Sequence, residues 1–280
     1  MLFMMGIRGI LQLLPLLGFT ATTTAAATVH LCGDSTMAKG GGGAGSATEG
    51  WGEYLKYSFG SDYVVRNAAI GGRSARSFTR EGRFTEVANI VKPGDWVVIE
   101  FGHNDGGSLS TDNGRTDCPG EGAETCRTTY NGVQETVLTY PAYYKNAAKL
   151  FLDKGAKVIL NSPTPNNICE TGTCVNDVSR FDYYAWHSAA ELASPDVYHV
   201  PHKQYAVQAM KNLGVQTVNS NYPKDHTHTG PYMANVMAGS FVLGLRCGTT
   251  ALGQAVKNTT ESLTTSFYGP CISQNSTVPI

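Results

Sequence analysis

Short apolar runs alternate with longer amphipathic stretches from residue 29 onward. The clearest strand-like runs are Val29–Cys32, Tyr63–Arg66, Trp96–Phe101 and Lys157–Leu160, with a weaker one at Val197–Val200. Val97, Val98 and Ile99 are consecutive β-branched residues, so both faces of that strand are expected to be apolar. Runs of this kind suit a parallel sheet covered on both sides. Between them the pattern predicts helices near Gly50–Ser58, Tyr140–Lys154, Arg180–Ala193, Lys203–Leu213 and Pro231–Leu245. Pro231 suits a first helical position, where no N–H is needed. The β-α-β-α order predicts a three-layer α/β domain with a mainly parallel, five-stranded sheet. No repeat or linker divides the chain. Gly102–Gly132 has no strong periodicity and is expected to be a long loop, a length that in a compact domain is usually functional.

Composition narrows the class. Of 280 residues 41% are apolar, enough for a sizeable core, and the net charge of −1 gives no reason to expect a nucleic-acid partner. The N-terminus reads as a signal peptide over residues 1–27. Arg8 precedes the apolar stretch Ile10–Phe19, and Ala25-Ala26-Ala27 fits an A-x-A cleavage site. That stretch is shorter than the ~20 residues a membrane-spanning helix needs. The mature chain is therefore expected to run from Thr28 to residue 280, outside the cell and not bound to a membrane. Without Arg8 it has one basic residue fewer than the 21 of the full sequence, against 22 acidic ones, a charge of about −2.

Seven cysteines in an exported chain imply disulfides and one odd thiol. Pairing by proximity gives Cys118 with Cys126, Cys169 with Cys174, and Cys247 with Cys271, although spacing alone does not fix connectivity. Cys32 is left over, at the end of an apolar run where a small thiol packs well. No pair of CxxC segments recurs to suggest zinc. Asn258 and Asn275 each open an N-x-[ST] triplet, a glycosylation acceptor.

In open parallel sheets ligands bind beyond the carboxyl ends of the strands. Polar, glycine-containing segments stand there: Gly33-Asp34-Ser35 after the first run, Gly71-Gly72-Arg73 after the second, and Gly102-His103-Asn104-Asp105 after the third. Asp225-His226-Thr227-His228 precedes the last predicted helix. Acyl transfer by serine needs a hydroxyl beside a base, a group that orients the base, and donors aimed at the developing oxyanion. Ser35 at a strand-to-helix turn supplies the hydroxyl. Asp225 and His228, three apart, supply a carboxylate and an imidazole from one loop. The N–H groups of Ser35 and Gly72 and the amide of Asn104 make a three-donor oxyanion hole. Asp34 is expected to brace its loop by accepting backbone N–H groups.

These four segments, in this order, resemble the four blocks of the SGNH (GDSL) hydrolase superfamily. The longer strings GDSTMAK, GGRSARSFTREGRF, EFGHNDGGSLSTDNGRTDC, PNN and DHTHT are similar to those of rhamnogalacturonan acetylesterases. The resemblance implies a flavodoxin-like sheet and ester hydrolysis without metal or other cofactor. It implies Ser35, Asp225 and His228 as the catalytic residues, and Gly72 and Asn104 as oxyanion donors. The implied partner is an acetylated pectic polysaccharide whose acetyl groups sit on galacturonate. Nothing in the sequence demands an oligomer, and a monomer is expected. The alternatives are a related esterase acting on xylan or other esters, and a non-catalytic carbohydrate-binding protein.

Other features carry two readings. Arg73, Arg76, Arg80 and Arg83 form either a solvated basic helix face or a grip on galacturonate carboxylates, for which Arg73 and Arg76 stand nearest the oxyanion donor. Gly40–Gly45 matches G-x-G-x-x-G as text, but it does not follow its strand directly and reads instead as a loop beside the site. His103, His226 and His228 contain a His-x-His pair with no supporting metal-binding helix. Trp51 and Trp186 are either core residues or stacking platforms.

Overall fold

The computed structural model describes residues 26–273. The expected signal peptide, except for its last two residues, and Asn275 lie outside them. In chain order the elements are β1 (Ala27–Gly33), β2 (Tyr63–Asn67), α1 (Ala75–Arg80), α2 (Arg83–Ala88), β3 (Trp96–Glu100), β4 (Thr125–Tyr130), β5 (Val133–Leu138), α3 (Tyr140–Leu152), β6 (Lys157–Asn161), α4 (Arg180–Leu192), β7 (Val197–Val200), α5 (His202–Leu213), α6 (Val215–Asn219), α7 (Pro231–Cys247), α8 (Ala251–Ala255) and α9 (Thr260–Thr264).

Five strands form one parallel sheet in the order β2-β1-β3-β6-β7. The sequence reads this way because strand side chains alternate between faces. Val29 and Leu31 of β1, Trp96 and Val98 of β3, and Ile159 of β6 enter one apolar cluster with α5 and α7. Cys32, Val97, Ile99, Val158 and Leu160 enter the other, with α1, α2, α3 and α4. All five residues of β3 are buried, as expected of a central strand covered on both sides. The expected three-layer α/β architecture is therefore present. The chain reverses its direction of winding between β1 and β3, where a crevice opens beyond the strand ends.

Two local expectations change. Gly50–Ser58 is two short 3₁₀ turns, Trp51–Glu53 and Leu55–Ser58, rather than one helix. The long loop from Gly102 ends sooner than expected, because β4 pairs antiparallel with β5. The hairpin turns on Asn131 (φ 49°) and Gly132 (φ 78°), the two positive-φ positions of a type I′ turn.

Cys118–Cys126, Cys169–Cys174 and Cys247–Cys271 are disulfide-bonded, and Cys32 is a free, buried thiol. Cys247–Cys271 ties the C-terminal segment to the end of α7. Trp51 belongs to the core, its indole N–H donating 2.8 Å to Glu100 at the end of β3. Glu100 is also bonded by Asn161 and by the imidazole of His202, so a buried carboxylate ties three elements together under the crevice. Asn258 lies in the bend between α8 and α9.

Candidate active site

Ser35 follows β1 directly. The strand ends at Gly33, and the carbonyl of Asp34 then accepts the N–H groups of Met37 and Ala38. This is a single hydrogen-bonded turn, not the expected start of a helix. It holds Ser35 at the rim, with only 6% of its surface exposed. Asp34 braces the turn through its Oδ1, which accepts the N–H and the hydroxyl of Thr36. Burial raises the Asp34 pKa above its ordinary value, opposed by the charge of His103 and by the two Thr36 bonds.

The segment 225–229 crosses to meet Ser35. His228 Nε2 lies 2.9 Å from Ser35 Oγ. Its Nδ1 lies 2.8 Å from Asp225 Oδ2, while Asp225 Oδ1 accepts the backbone N–H groups of Thr227 and His228. Burial works to raise the Asp225 pKa. The hydrogen bonds from the His228 ring and from the two backbone N–H groups outweigh it and hold the carboxyl down at about 2. Asp225 is therefore ionised at neutral pH and accepts the Nδ1 proton. That leaves Nε2 free to take a proton from the serine. Two bonds between Thr229 and Glu49 fix the segment to the loop that follows the glycine run.

A cavity of about 400 Å³ opens over this pair, lined by Ser35, Gly41, Gly42, Gly43, Gly71, Gly72, Asn104, Arg115 and His228. The glycine run thus forms one wall. Gly72 has φ +74°, a left-handed conformation that disfavours a side chain. The Asn104 amide is fixed at both ends: Nδ2 donates to the carbonyl of Arg73 at 3.1 Å, and Oδ1 accepts from Arg115 Nη1 at 3.0 Å. One Nδ2 hydrogen remains for the cavity. Ser35, His228, Asp225, Gly72 and Asn104 are brought together, with the hydroxyl, base, orienting carboxylate and donors that acyl transfer requires.

The two arginines expected to meet substrate are placed differently. Arg76 is a correction. Its side chain is fully buried and forms bidentate bonds with Asp112 and with Glu135, plus one from Nη1 to the carbonyl of Thr116. With every donor group so engaged and no exposure, it holds the protein together and cannot reach a polysaccharide. Arg73 is half-exposed and pairs with Glu81 at 3.2 Å. It lines an adjoining groove with Arg80, Asn113, Tyr130, Gly72 and Arg115 rather than the serine cavity itself. Arg115 was not singled out by the sequence. It comes from a stretch without periodicity, and only the closure of that stretch places it: Asp117 N–H bonds the carbonyl of Asp105, and Cys118 bonds Cys126.

The imidazoles go separate ways. His103 Nε2 is 2.9 Å from the carbonyl of Thr164, and His226 is exposed. Among the described residues no group of three or more His, Cys, Asp or Glu is placed to hold a metal ion. Trp186 is half-buried and lines a different cavity, with Tyr198 and Tyr205.

A serine hydroxyl, imidazole and carboxylate in line at the switch point of a parallel sheet form the arrangement that serine ester hydrolysis requires. Residues 29–241 match the GDSL-like Lipase/Acylhydrolase family, and the chain belongs to it; it is a carboxylic ester hydrolase. It is 51% identical over 247 residues to a rhamnogalacturonan acetylesterase of Emericella nidulans, covering 88% of this chain and 94% of that one. It is 26% identical over 223 residues to a probable rhamnogalacturonan acetylesterase of Bacillus subtilis, covering 78% of this chain and 92% of the relative. Among solved structures, the YxiM protein of Bacillus subtilis superposes with a TM-score of 0.61 at 20% identity, over 79% of this chain and 56% of that chain. That likeness concerns the fold alone.

Proposed function

We propose that the protein is a secreted, monomeric acetylesterase that removes acetyl groups from galacturonate residues of rhamnogalacturonan. The observation that carries this reading is the 2.9 Å contact between Ser35 and His228, in a chain so similar to a rhamnogalacturonan acetylesterase. His228 takes the Ser35 proton as Oγ attacks the acetyl carbonyl. Asp225 stabilises the imidazolium that forms. The N–H groups of Ser35 and Gly72 and the free Nδ2 hydrogen of Asn104 hold the tetrahedral oxyanion; losing one such donor typically costs ~100–1,000-fold in turnover. Collapse expels the sugar oxygen, which leaves with the proton from His228. Water then enters, gives a proton to the same imidazole, and clears the acetyl-enzyme to release acetate and free Ser35.

Secretion is supported by three disulfides, which persist in oxidising compartments. No described helix is long and apolar enough to cross a membrane. Monomeric action is supported by the origin of all the proposed groups in one chain. The test is acetate release from acetylated rhamnogalacturonan and from acetylated xylan, with wild type and Ser35→Ala. Faster release from the pectic polymer, absent in the variant, is expected. Faster release from xylan would overturn the substrate assignment.

A further inference from the structure

The arginine that faces the serine cavity is not one of the cluster after Gly72. Arg73, Arg76, Arg80 and Arg83 are each paired with a carboxylate of the protein. Arg115 is not. Its Nη1 donates to Asn104 Oδ1 at 3.0 Å and to the carbonyl of Gly72 at 3.5 Å. Its Nε and Nη2 have no hydrogen-bond partner among the described residues. The guanidinium is half-buried and lines both the serine cavity and the adjoining groove that holds Arg73, Arg80 and Tyr130. A fixed positive charge with spare donors therefore stands at the junction of the two, beside the oxyanion donors.

Its placement is built rather than incidental. The buried Arg76 grips Asp112 and the carbonyl of Thr116, on either side of Arg115. Thr116 Oγ1 also bonds the carbonyl of Gly106, and Asn113 Oδ1 accepts the Arg115 N–H. The segment is closed off by the Cys118–Cys126 disulfide. A surface arginine that only solvates the protein needs no such bracing.

We propose that Arg115 is the specificity-determining residue for an anionic sugar. It grips a uronate carboxylate on the same polysaccharide chain as the ester, while its Nη1 keeps the Asn104 amide turned with its N–H toward the oxyanion. The guanidinium fork matches a carboxylate through two parallel N–H bonds, which an ammonium cannot reproduce. A neutral acetylated sugar gains only the second effect. This inference rests on the proposed pectic substrate.

The experiment compares wild type, Arg115→Gln and Arg115→Lys on three esters: an acetylated rhamnogalacturonan oligosaccharide with free carboxylates, the same oligosaccharide after methyl esterification, and p-nitrophenyl acetate. The last ester reports the Asn104 effect, and the melting temperature of each variant shows that it is folded. Wild type is expected to prefer the free acid. In Arg115→Gln that preference falls roughly 10- to 100-fold, the range for a lost hydrogen bond to a charged group, and mainly through KM. Arg115→Lys recovers part of it. A wild type without the preference, or an unchanged preference in Arg115→Gln, overturns the inference and leaves the pectic reading standing. If wild type cleaves p-nitrophenyl acetate but neither oligosaccharide, both fall together.

Discussion

A Cβ added to Gly42 would stand 2.8 Å from Cγ of the His228 imidazole. The glycine run is thus a fitted wall against the base, held there by Thr48 on the Gly42 N–H and Lys224 on its carbonyl. A methyl group at this position must displace the ring from Ser35. Misplacement of about 1 Å can cost ~100-fold in rate. Gly42→Ala is expected to lower kcat on p-nitrophenyl acetate by about 10- to 100-fold with little change in melting temperature. Wild-type kcat in this variant would show that the loop yields and does not position the base.

The buried Arg76 makes the opposite kind of prediction. Asp112 and Glu135 are 4% and 18% exposed; Asp112 has its ion pair with Arg76, and Glu135 is shared between Arg76 and Arg80. Their hydrogen bonds to Arg76 hold both carboxyls below the ordinary range, although burial works against this. Breaking a buried pair by removing one partner typically costs about 3–5 kcal/mol. Arg76→Met is therefore expected to unfold at markedly lower urea than wild type. A substrate-binding arginine would behave otherwise, with a raised KM and unchanged stability; that pattern would contradict the structural role.

Asp105 and Asp117 set a pH dependence of stability. Both are buried, and they are close enough to share a hydrogen bond. Burial is the largest cause of a rise in both pKa values, taking Asp105 to about 8 and Asp117 upward; the charge of Asp34 adds to the first and that of Asp105 to the second. In the unfolded chain an Asp titrates near ~3.9. The folded state binds more protons across that interval, so this contribution is full below the unfolded value and is lost as pH rises toward 8. Asp225, held at about 2, has the opposite sign, but its contribution is lost only as pH falls through the acid end. Burial lowers the pKa values of His30 and His199, whose contribution grows as pH rises toward the ~6.5 of an unfolded histidine. Melting temperature should therefore fall above that value, toward pH 8.5, and Asp117→Asn should reduce the slope. An unaltered slope in that variant would remove the carboxyl pair from the explanation.

The five sheet strands were legible as short runs rich in β-branched and aromatic residues; in β1, β3 and β6 alternate residues serve two different cores, as Val97 and Val98 do, whereas the edge strand β2 buries one face only. The segments that carry Ser35, His228, Gly72 and Asn104, the proposed hydroxyl, base and oxyanion donors, were legible for a different reason. Each is a short polar stretch at a strand end or before a helix. The β4–β5 hairpin was missed although Asn131-Gly132 marks its turn. Its strands, with TCRTTY and VQETVL, are largely exposed and lack the apolar alternation that announced the others. The roles of Arg76 and Arg115 were beyond sequence reasoning. What separates them is the location of Asp112 and Glu135, 36 and 59 residues from Arg76. Charge type and proximity to Gly72 do not reveal which guanidinium is neutralised inside the protein.

If Ser35, activated by His228, carries the acyl group, a covalent label directed at activated serines should find it. Wild type, Ser35→Ala and His228→Ala would be treated with a fluorophosphonate and digested, and the adduct located by mass spectrometry. Modification of Ser35 is expected in wild type, with greatly slowed modification in His228→Ala and none in Ser35→Ala. An adduct on another residue, or undiminished ester hydrolysis by Ser35→Ala, would contradict that role of Ser35.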